Sequence, residues 1–295
     1  MINQIVKKAG VFFGLGTVLS IERASEGLGN ENYFVRTNDG KKYVMKLLRS
    51  QTIEGLENEM SILEQLKKTD IITAKFVVGK NRKIYFECGK HTVTCTEFIN
   101  GDLRLKISDE LSMELGKTLA SFHTGVKYLP AKTDFWLSKE NALKETKKLP
   151  TTLLGKKIKK RIESTIYIFE LNLPKGIIHG DLHLSNLVVT PNNKIAIFDF
   201  EDVDENILLL DIAITSVSLL SKRNEKSVVK NLLAGYESVR PLRELEQQSL
   251  PLAIRYVTGA SAAWLLNEGH PHLAEEMILF NYKINETYHY EECIQ

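Results

Sequence analysis

The run Ile177-Ile178-His179-Gly180-Asp181-Leu182-His183-Leu184-Ser185-Asn186 is followed, a few residues on, by Ile195-Ala196-Ile197-Phe198-Asp199-Phe200-Glu201. It holds an Asp, an Asn five residues later, and a second Asp thirteen further on at the end of an apolar, strand-like piece. Those residue types in that order supply the parts needed for phosphoryl transfer. Asp181 would orient an attacking hydroxyl and accept its proton, while Asn186 and Asp199 offer the hard oxygen donors that hold Mg²⁺ on nucleotide phosphates. Two other readings compete for the same residues. His179, Asp181 and His183 are candidate zinc or iron ligands of a metallohydrolase, but such a site needs more ligands, and His270 and His272 stand in a Glu-Gly-His-Pro-His segment with no partner motif. The third reading is a strand-turn-strand whose polar residues merely satisfy the backbone. In the phosphoryl-transfer reading His179 holds the loop by hydrogen bonds, and His183 is a loop residue without an assigned role.

A site of this kind needs a cation on the phosphates. Lys46, in Tyr43-Val44-Met45-Lys46-Leu47, sits mid-strand among apolar neighbours, which turns its charge inwards unless a phosphate and a carboxylate compensate it. Glu59 on the following helix is the preferred partner, with Glu57 and Glu54 as rivals on other faces. The loop Gly27-Leu28-Gly29-Asn30 falls between the first two strands, where backbone N–H groups unhindered by Cβ atoms can approach phosphate. Gly14-Leu15-Gly16 matches the same pattern but precedes the first strand. Thr96-Glu97-Phe98-Ile99, just before Asn100-Gly101, would offer its backbone to an adenine-like base, with Glu97 and Ile99 as the contact points.

The elements that position these residues divide the chain. Alternating segments at residues 17–23, 32–37 and 43–48, with Asn38-Asp39-Gly40 as a hairpin turn, predict three antiparallel strands. Residues 54–67 change to helical spacing, with Leu56, Met60, Leu63 and Leu66 on one face. Residues 76–78, 83–87 and 92–98 read as two or three further strands. Beyond Asn100-Gly101 the pattern turns helical, with Leu111, Leu115, Leu119 and Phe122 on one face and further helices at residues 232–239 and 252–266. Two β-like pieces, 176–179 and 194–198, interrupt it. The expected fold class is α+β, with a small antiparallel β-rich first lobe over residues 1–99 that binds nucleotide. A larger, mainly helical lobe over 100–295 would carry the catalytic loop and the acceptor site.

Composition narrows the function classes. The 295 residues carry 39 Lys+Arg against 37 Asp+Glu, a net charge of +2, which argues against a polybasic nucleic-acid or membrane-surface protein. The nine basic residues at 139–161 are read as a solvated helix face, because no aromatic residue stands among them from Lys144 onward to stack a base. Three scattered cysteines fit a reducing compartment and exclude a disulfide framework. The start of the chain does not read as a signal peptide, and the longest apolar stretch, 207–220, contains Asp211 and falls short of the roughly 20 residues a bilayer needs. A cytoplasmic protein with no nucleic-acid or membrane partner is expected.

Taken together, Lys46, a helix Glu, His-Gly-Asp-Leu-His-x-x-Asn, Asp199-Phe200-Glu201 and Leu210-Asp211-Ile212-Ala213 resemble the aminoglycoside phosphotransferase, choline kinase and homoserine kinase superfamily over nearly the whole chain. The resemblance implies a two-lobed protein-kinase-like fold using ATP and Mg²⁺. Protein kinases place Arg where Gly180 stands and Gly where Glu201 stands, and they carry an Ala-Pro-Glu segment that is missing here, so the resemblance points to a small-molecule acceptor with a hydroxyl group. Glu26-Gly27-Leu28-Gly29-Asn30-Glu31-Asn32, the segment from Leu233 through Leu242, and Leu250-Pro251-Leu252 with Arg255 look like the bacterial homoserine kinases of this fold. The acidic run Asp199, Glu201, Asp202, Asp204, Glu205 favours an ammonium-bearing acceptor, with Glu201 and Asp202 as candidate contacts. Arg255 is a candidate for a substrate carboxylate, unless it pairs with Glu244 or Glu246. An aminoglycoside or choline-type kinase is the alternative, and a catalytically silent nucleotide-binding module the lesser one.

Overall fold

The computed structural model describes residues 2–24, 30–49, 51–102, 106–130 and 134–287, with side chains described through residue 279. Helix α1 (Ile2–Phe12) precedes the strands β1 (Val18–Arg23), β2 (Glu31–Thr37) and β3 (Lys42–Leu48). Helix α2 (Ile53–Leu66), β4 (Ile72–Thr73), β5 (Tyr85–Cys88) and β6 (His91–Glu97) complete the first lobe. Then come α3 (Asp109–Gly125), α4 (Lys139–Lys148), α5 (Leu153–Glu163), β7 (Lys175–Ile178), β8 (Leu187–Val189), β9 (Ile195–Ile197) and β10 (Asp204–Ile207). Four helices end the chain, α6 (Leu208–Lys222), α7 (Lys226–Glu237), α8 (Glu244–Asn267) and α9 (Pro271–Thr287).

The predicted hairpin forms at Asn38-Asp39-Gly40, where Gly40 takes φ +80° and Arg36 pairs with Lys42. The sheet runs β1-β2-β3-β6-β5, antiparallel throughout. Alternation along β3 sends Tyr43, Met45 and Leu47 into the core and turns Val44, Lys46 and Leu48 to the opposite face. Helix α1, which the strand-centred reading did not anticipate, covers the core face with Ile5, Val6 and Ala9. Its spacing i, i+1, i+4 was visible in the sequence. Phe76 makes only an isolated bridge to Thr96, so residues 76–78 are not a strand. The short β4 of the first lobe pairs in parallel with β9 of the second, which stitches the two lobes together, and Asp102 at the start of the second lobe bridges Val189.

The second lobe is built around α6, which is buried from Leu208 to Leu220. Helices α3 and α7 cross with backbone touching backbone: a Cβ on Gly116 would lie 2.0 Å from the Leu232 carbonyl oxygen, and one on Gly235 would lie 1.9 Å from that of Met113. The basic stretch lies on α4 and α5, whose lysines face outwards while Ala142, Ile158 and Ile162 are buried, as expected of a solvated face. Among the described residues no helix is long and apolar enough to cross a membrane. Gly235→Ala should force the helices apart and lower unfolding stability by about 1–3 kcal/mol, the usual range for overpacking. An unchanged denaturant midpoint would contradict the close crossing.

Candidate active site

Helix α6 carries a polar stripe on an otherwise apolar surface. Asp211, Thr215 and Ser218 stand at i, i+4 and i+7, one face of the helix, and all three reach the loop after β7. Asp211 accepts from the amides of His179 (2.6 Å) and Gly180 (2.9 Å), Thr215 donates to the Leu182 carbonyl (3.2 Å), and Ser218 accepts from the Leu184 amide (2.9 Å). Burial would push the Asp211 carboxyl up, but hydrogen bonds from His123 and the His179 amide hold it below its usual range. Gly180 adopts φ +80° with its Cα against the Asp202 carbonyl, where a Cβ would lie 2.0 Å away, so only glycine fits this bend. The Trp136 indole N–H closes the bend by donating to the Gly180 carbonyl (3.1 Å).

Held in this way, the loop presents Asp181. Asn186 donates through Nδ2 to both the Asp181 carbonyl and its Oδ2, each at 2.8 Å, which leaves Asn186 Oδ1 as its acceptor oxygen. His183, to which the sequence assigned no role, lies with Nε2 3.1 Å from Asp181 Oδ1. His179 is fully buried, its Nε2 donating to the Phe198 carbonyl (3.2 Å) and its Nδ1 accepting from the Asp181 amide (3.4 Å). Burial depresses its pKa. Both ring nitrogens are thereby engaged, which is incompatible with a zinc or iron ligand and agrees with the structural role read from the sequence. Among the described residues no group of three or more His, Cys, Asp or Glu is arranged to hold a metal alone. Asn186 Oδ1 and an Asp199 carboxylate do fit Mg²⁺, which takes one or two protein oxygens and completes its shell from phosphates and water.

Asp199 follows β9 in the left-handed region, φ +69° and ψ +66°, an uncommon conformation for a residue with a side chain. Its Oδ1 lies 2.5 Å from Lys46 Nζ, whose second partner is Glu201 Oε2 at 3.0 Å. Burial alone would depress the Lys46 pKa, but the carboxylates of Asp199, Glu201 and Glu59 raise it well above the ordinary lysine value. Glu59, the partner expected from the sequence, faces the same region without a direct contact to Lys46; Gln51 Nε2 donates to it at 3.1 Å. Asn30 donates from Nδ2 to Glu201 and accepts the Arg49 amide (2.8 Å), so it ties the start of β2 to the site. Gly27 and Gly29 lie outside the described residues. Asp202 is pushed well above its usual range by burial and by the charges of Asp181, Glu201 and Asp199.

At the edge of the first lobe, the Glu97 amide donates to the Lys75 carbonyl (2.9 Å), and Ile99 lies just past the strand. Arg255 does not join the carboxylate cluster through any contact the structure shows. It lies on α8 beside Arg161 of α5, whose guanidinium burial and the Arg255 charge push down to about 10, and its buried Nε has no partner among the described residues. Glu246, a rival partner, is engaged by Arg240 instead. Sequence reasoning gave no role to Asp211, Thr215, Ser218 or Trp136. The available signal was polar residues at helical spacing inside the longest apolar stretch, where a charge without partners is too costly to keep.

Burial pushes Glu59 up from 4.5 to about 6. The folded state therefore binds this proton more tightly than the unfolded chain, so the group's contribution to stability is full below pH 4.5 and is lost as the pH rises through about 6. Without added nucleotide, Glu59→Gln should be more stable than wild type at pH 8 by up to about 2 kcal/mol. The gap should close near pH 5, as read by unfolding midpoints at both values. A variant less stable than wild type at pH 8 would show that attraction to Lys46 outweighs the cost of burial.

Comparison with known proteins places this geometry. The chain is 24% identical over 269 residues to the homoserine kinase of Granulibacter bethesdensis, covering 86% of this chain and 84% of that protein. It is 24% identical over 284 residues to the homoserine kinase of Brucella ovis, covering 90% and 83%. Among solved structures, an amicoumacin kinase in complex with AMP-PNP and Ca²⁺ superposes with a TM-score of 0.80 at 16% identity, covering 98% of this chain and 96% of that one. The choline kinase of Streptococcus pneumoniae gives a TM-score of 0.71 at 18% identity, covering 97% and 99%. These likenesses establish the two-lobed kinase-like fold. The sequence model of the phosphotransferase enzyme family matches residues 20–247, with Lys46, Asp181, Asn186 and Asp199 all inside the match, and the chain belongs to that family.

Proposed function

We propose that this phosphotransferase moves the γ-phosphate of ATP, with Mg²⁺, onto the hydroxyl of a small ammonium-bearing molecule, and that its acceptor is a homoserine-like amino acid. The observation that carries the reading is the convergence across the cleft of Lys46 with Asp199 and Glu201, next to a loop that holds Asp181 and Asn186 in mutual hydrogen bonds. The similarity to homoserine kinases over 86% and 90% of the chain supports the choice of acceptor. The proposed division of labour follows the lobes, nucleotide on residues 1–99 and acceptor on residues 100–295, with Glu97 and Ile99 offering backbone to the base.

Lys46, freed from its carboxylates, would neutralise phosphate oxygens, and Asn186 Oδ1 with Asp199 would hold the metal. Bound Mg²⁺ supplies charge neutralisation on the transferring phosphoryl group. Asp181 orients the acceptor hydroxyl and takes its proton as the new oxygen–phosphorus bond forms and the bond from the γ-phosphorus to the bridging oxygen breaks, with ADP as the leaving group. Asn186 keeps the carboxylate from rotating, and His183 lies against its other oxygen. Glu201 and Asp202 place negative charge where an acceptor ammonium would sit. Catalysis on this account is positioning and electrostatics more than covalent chemistry.

Two measurements test the assignment. Asp181→Asn should fold and bind nucleotide as wild type does while lowering phosphoryl transfer by a factor on the order of 10² or more. Full turnover in that variant would remove Asp181 from the mechanism. In a panel of homoserine, hydroxylysine, choline and kanamycin, an amino acid acceptor should stimulate ADP release most. If both amino acids are inert while choline or kanamycin is phosphorylated, the acceptor reading fails and the transfer reaction stands.

A further inference from the structure

The buried carboxylate that holds the catalytic loop is itself held by a chain of hydrogen bonds that ends far from the cleft. Asp211 Oδ2 lies 3.0 Å from His123 Nε2, and His123 Nδ1 lies 2.7 Å from the Tyr236 hydroxyl. Arg240 Nη1 donates to that hydroxyl (3.3 Å). Its two terminal nitrogens also pair with both oxygens of Glu246, at 2.9 and 3.2 Å. Glu246 is fully buried and also accepts the Arg243 amide (3.0 Å) at the start of α8. His123, Asp211, Tyr236 and Glu246 come from α3, α6, α7 and α8, Arg240 from the connection between α7 and α8, and His123, Asp211 and Glu246 are all buried.

Donor and acceptor capacities give the chain one direction. The Asp211 carboxylate can only accept, so His123 carries its hydrogen on Nε2, and Nδ1 then accepts from the Tyr236 O–H. Burial raises the Tyr236 pKa, which keeps that hydrogen in place. The tyrosine oxygen in turn accepts from Arg240. Each group donates towards Asp211, whose oxygens are left aimed at the His179 and Gly180 amides on either side of the bend that presents Asp181. The close α3–α7 crossing at Gly116 and Gly235 brings Tyr236 within reach of His123, giving Gly235-Tyr236 and Arg240 a purpose apart from any substrate contact.

We infer that Tyr236, fixed by the Arg240–Glu246 pair, is a positioning residue for the reaction: through His123 and Asp211 it sets the orientation of the loop that carries Asp181. The inference rests on the phosphotransfer reading for its kinetic consequence only. A small misplacement of a reacting group slows chemistry more than it weakens binding.

The test is Tyr236→Phe, which keeps the ring and its packing and removes the hydroxyl. The kcat should fall by roughly tenfold while the KM for ATP stays within about twofold, the split expected when orientation and not binding is lost. Amide exchange at His179 and Gly180 should speed up while the rest of the second lobe keeps its protection. Arg240→Lys, which loses the paired contact to Glu246 but keeps a donor, should shift both readouts in the same direction by less, and it serves if Tyr236→Phe does not fold. Wild-type kcat with wild-type exchange in a folded Tyr236→Phe would overturn the inference. So would faster exchange spread evenly over the lobe, the mark of a purely structural role. If the wild type phosphorylates no hydroxyl acceptor, the reaction assignment fails by itself, while exchange at His179 and Gly180, which needs no substrate, still decides the relay.

Discussion

Everything at the site depends on one buried carboxylate. Asp211 stands in the buried first turn of an apolar helix with no solvent to share its charge, so it keeps that charge only by collecting donors: the His179 and Gly180 amides on one side and the His123 ring on the other. Satisfying Asp211 therefore fixes the backbone on which Asp181 hangs. Thr215 and Ser218, one and two turns along the same face, repeat the device at Leu182 and Leu184. The loop has little regular structure of its own and is held instead by a helix that belongs to the core, which lets a precise geometry sit at the edge of a cleft.

The second constraint is an excess of negative charge around a single ammonium. Asp181, Asp199, Glu201, Asp202 and Glu59 all lie within electrostatic reach of Lys46 or of one another, and burial, with the neighbouring carboxylates adding to it, raises the pKa values of Glu59, Glu201 and Asp202. A metal ion and an ammonium-bearing acceptor are both cations, and each would relieve the repulsion on entering. The same field that makes the unliganded cluster costly thus favours the partners of the proposed reaction, with the Asp202 backbone packed against the Gly180 bend.

Much of the first lobe was legible because its signals are local. The Asn38-Asp39-Gly40 turn fixes a hairpin by backbone chirality, and β3 shows by simple alternation that Lys46 must point away from the core. The residues proposed for the chemistry, Asp181, Asn186 and Asp199, could be picked out for a similar reason, since a loop and the strands that follow it carry all three. What sequence reasoning could not see were pairings across long separations. Glu59 was a reasonable partner for Lys46 on helical phase, yet Asp199 and Glu201, more than 150 residues away, make the contacts. Arg255 was placed with the substrate by its neighbourhood in sequence, whereas the turn of α8 sets it against Arg161. Helix α1 announces itself only by a short apolar face, Ile5, Val6 and Ala9, ahead of the first alternating segment. The links between His123, Tyr236 and Glu246 follow from a helix crossing that only two glycines in contact with backbone announce.

The most direct test of the account is the identity of the phosphorylated product. Purified protein incubated with ATP, Mg²⁺ and homoserine, followed by phosphorus NMR, should show a phosphomonoester resonance growing in step with ADP and absent when Mg²⁺ is chelated. ADP appearing with inorganic phosphate alone, whatever hydroxyl-bearing acceptor is supplied, would contradict transfer to an alcohol as the reaction of this site.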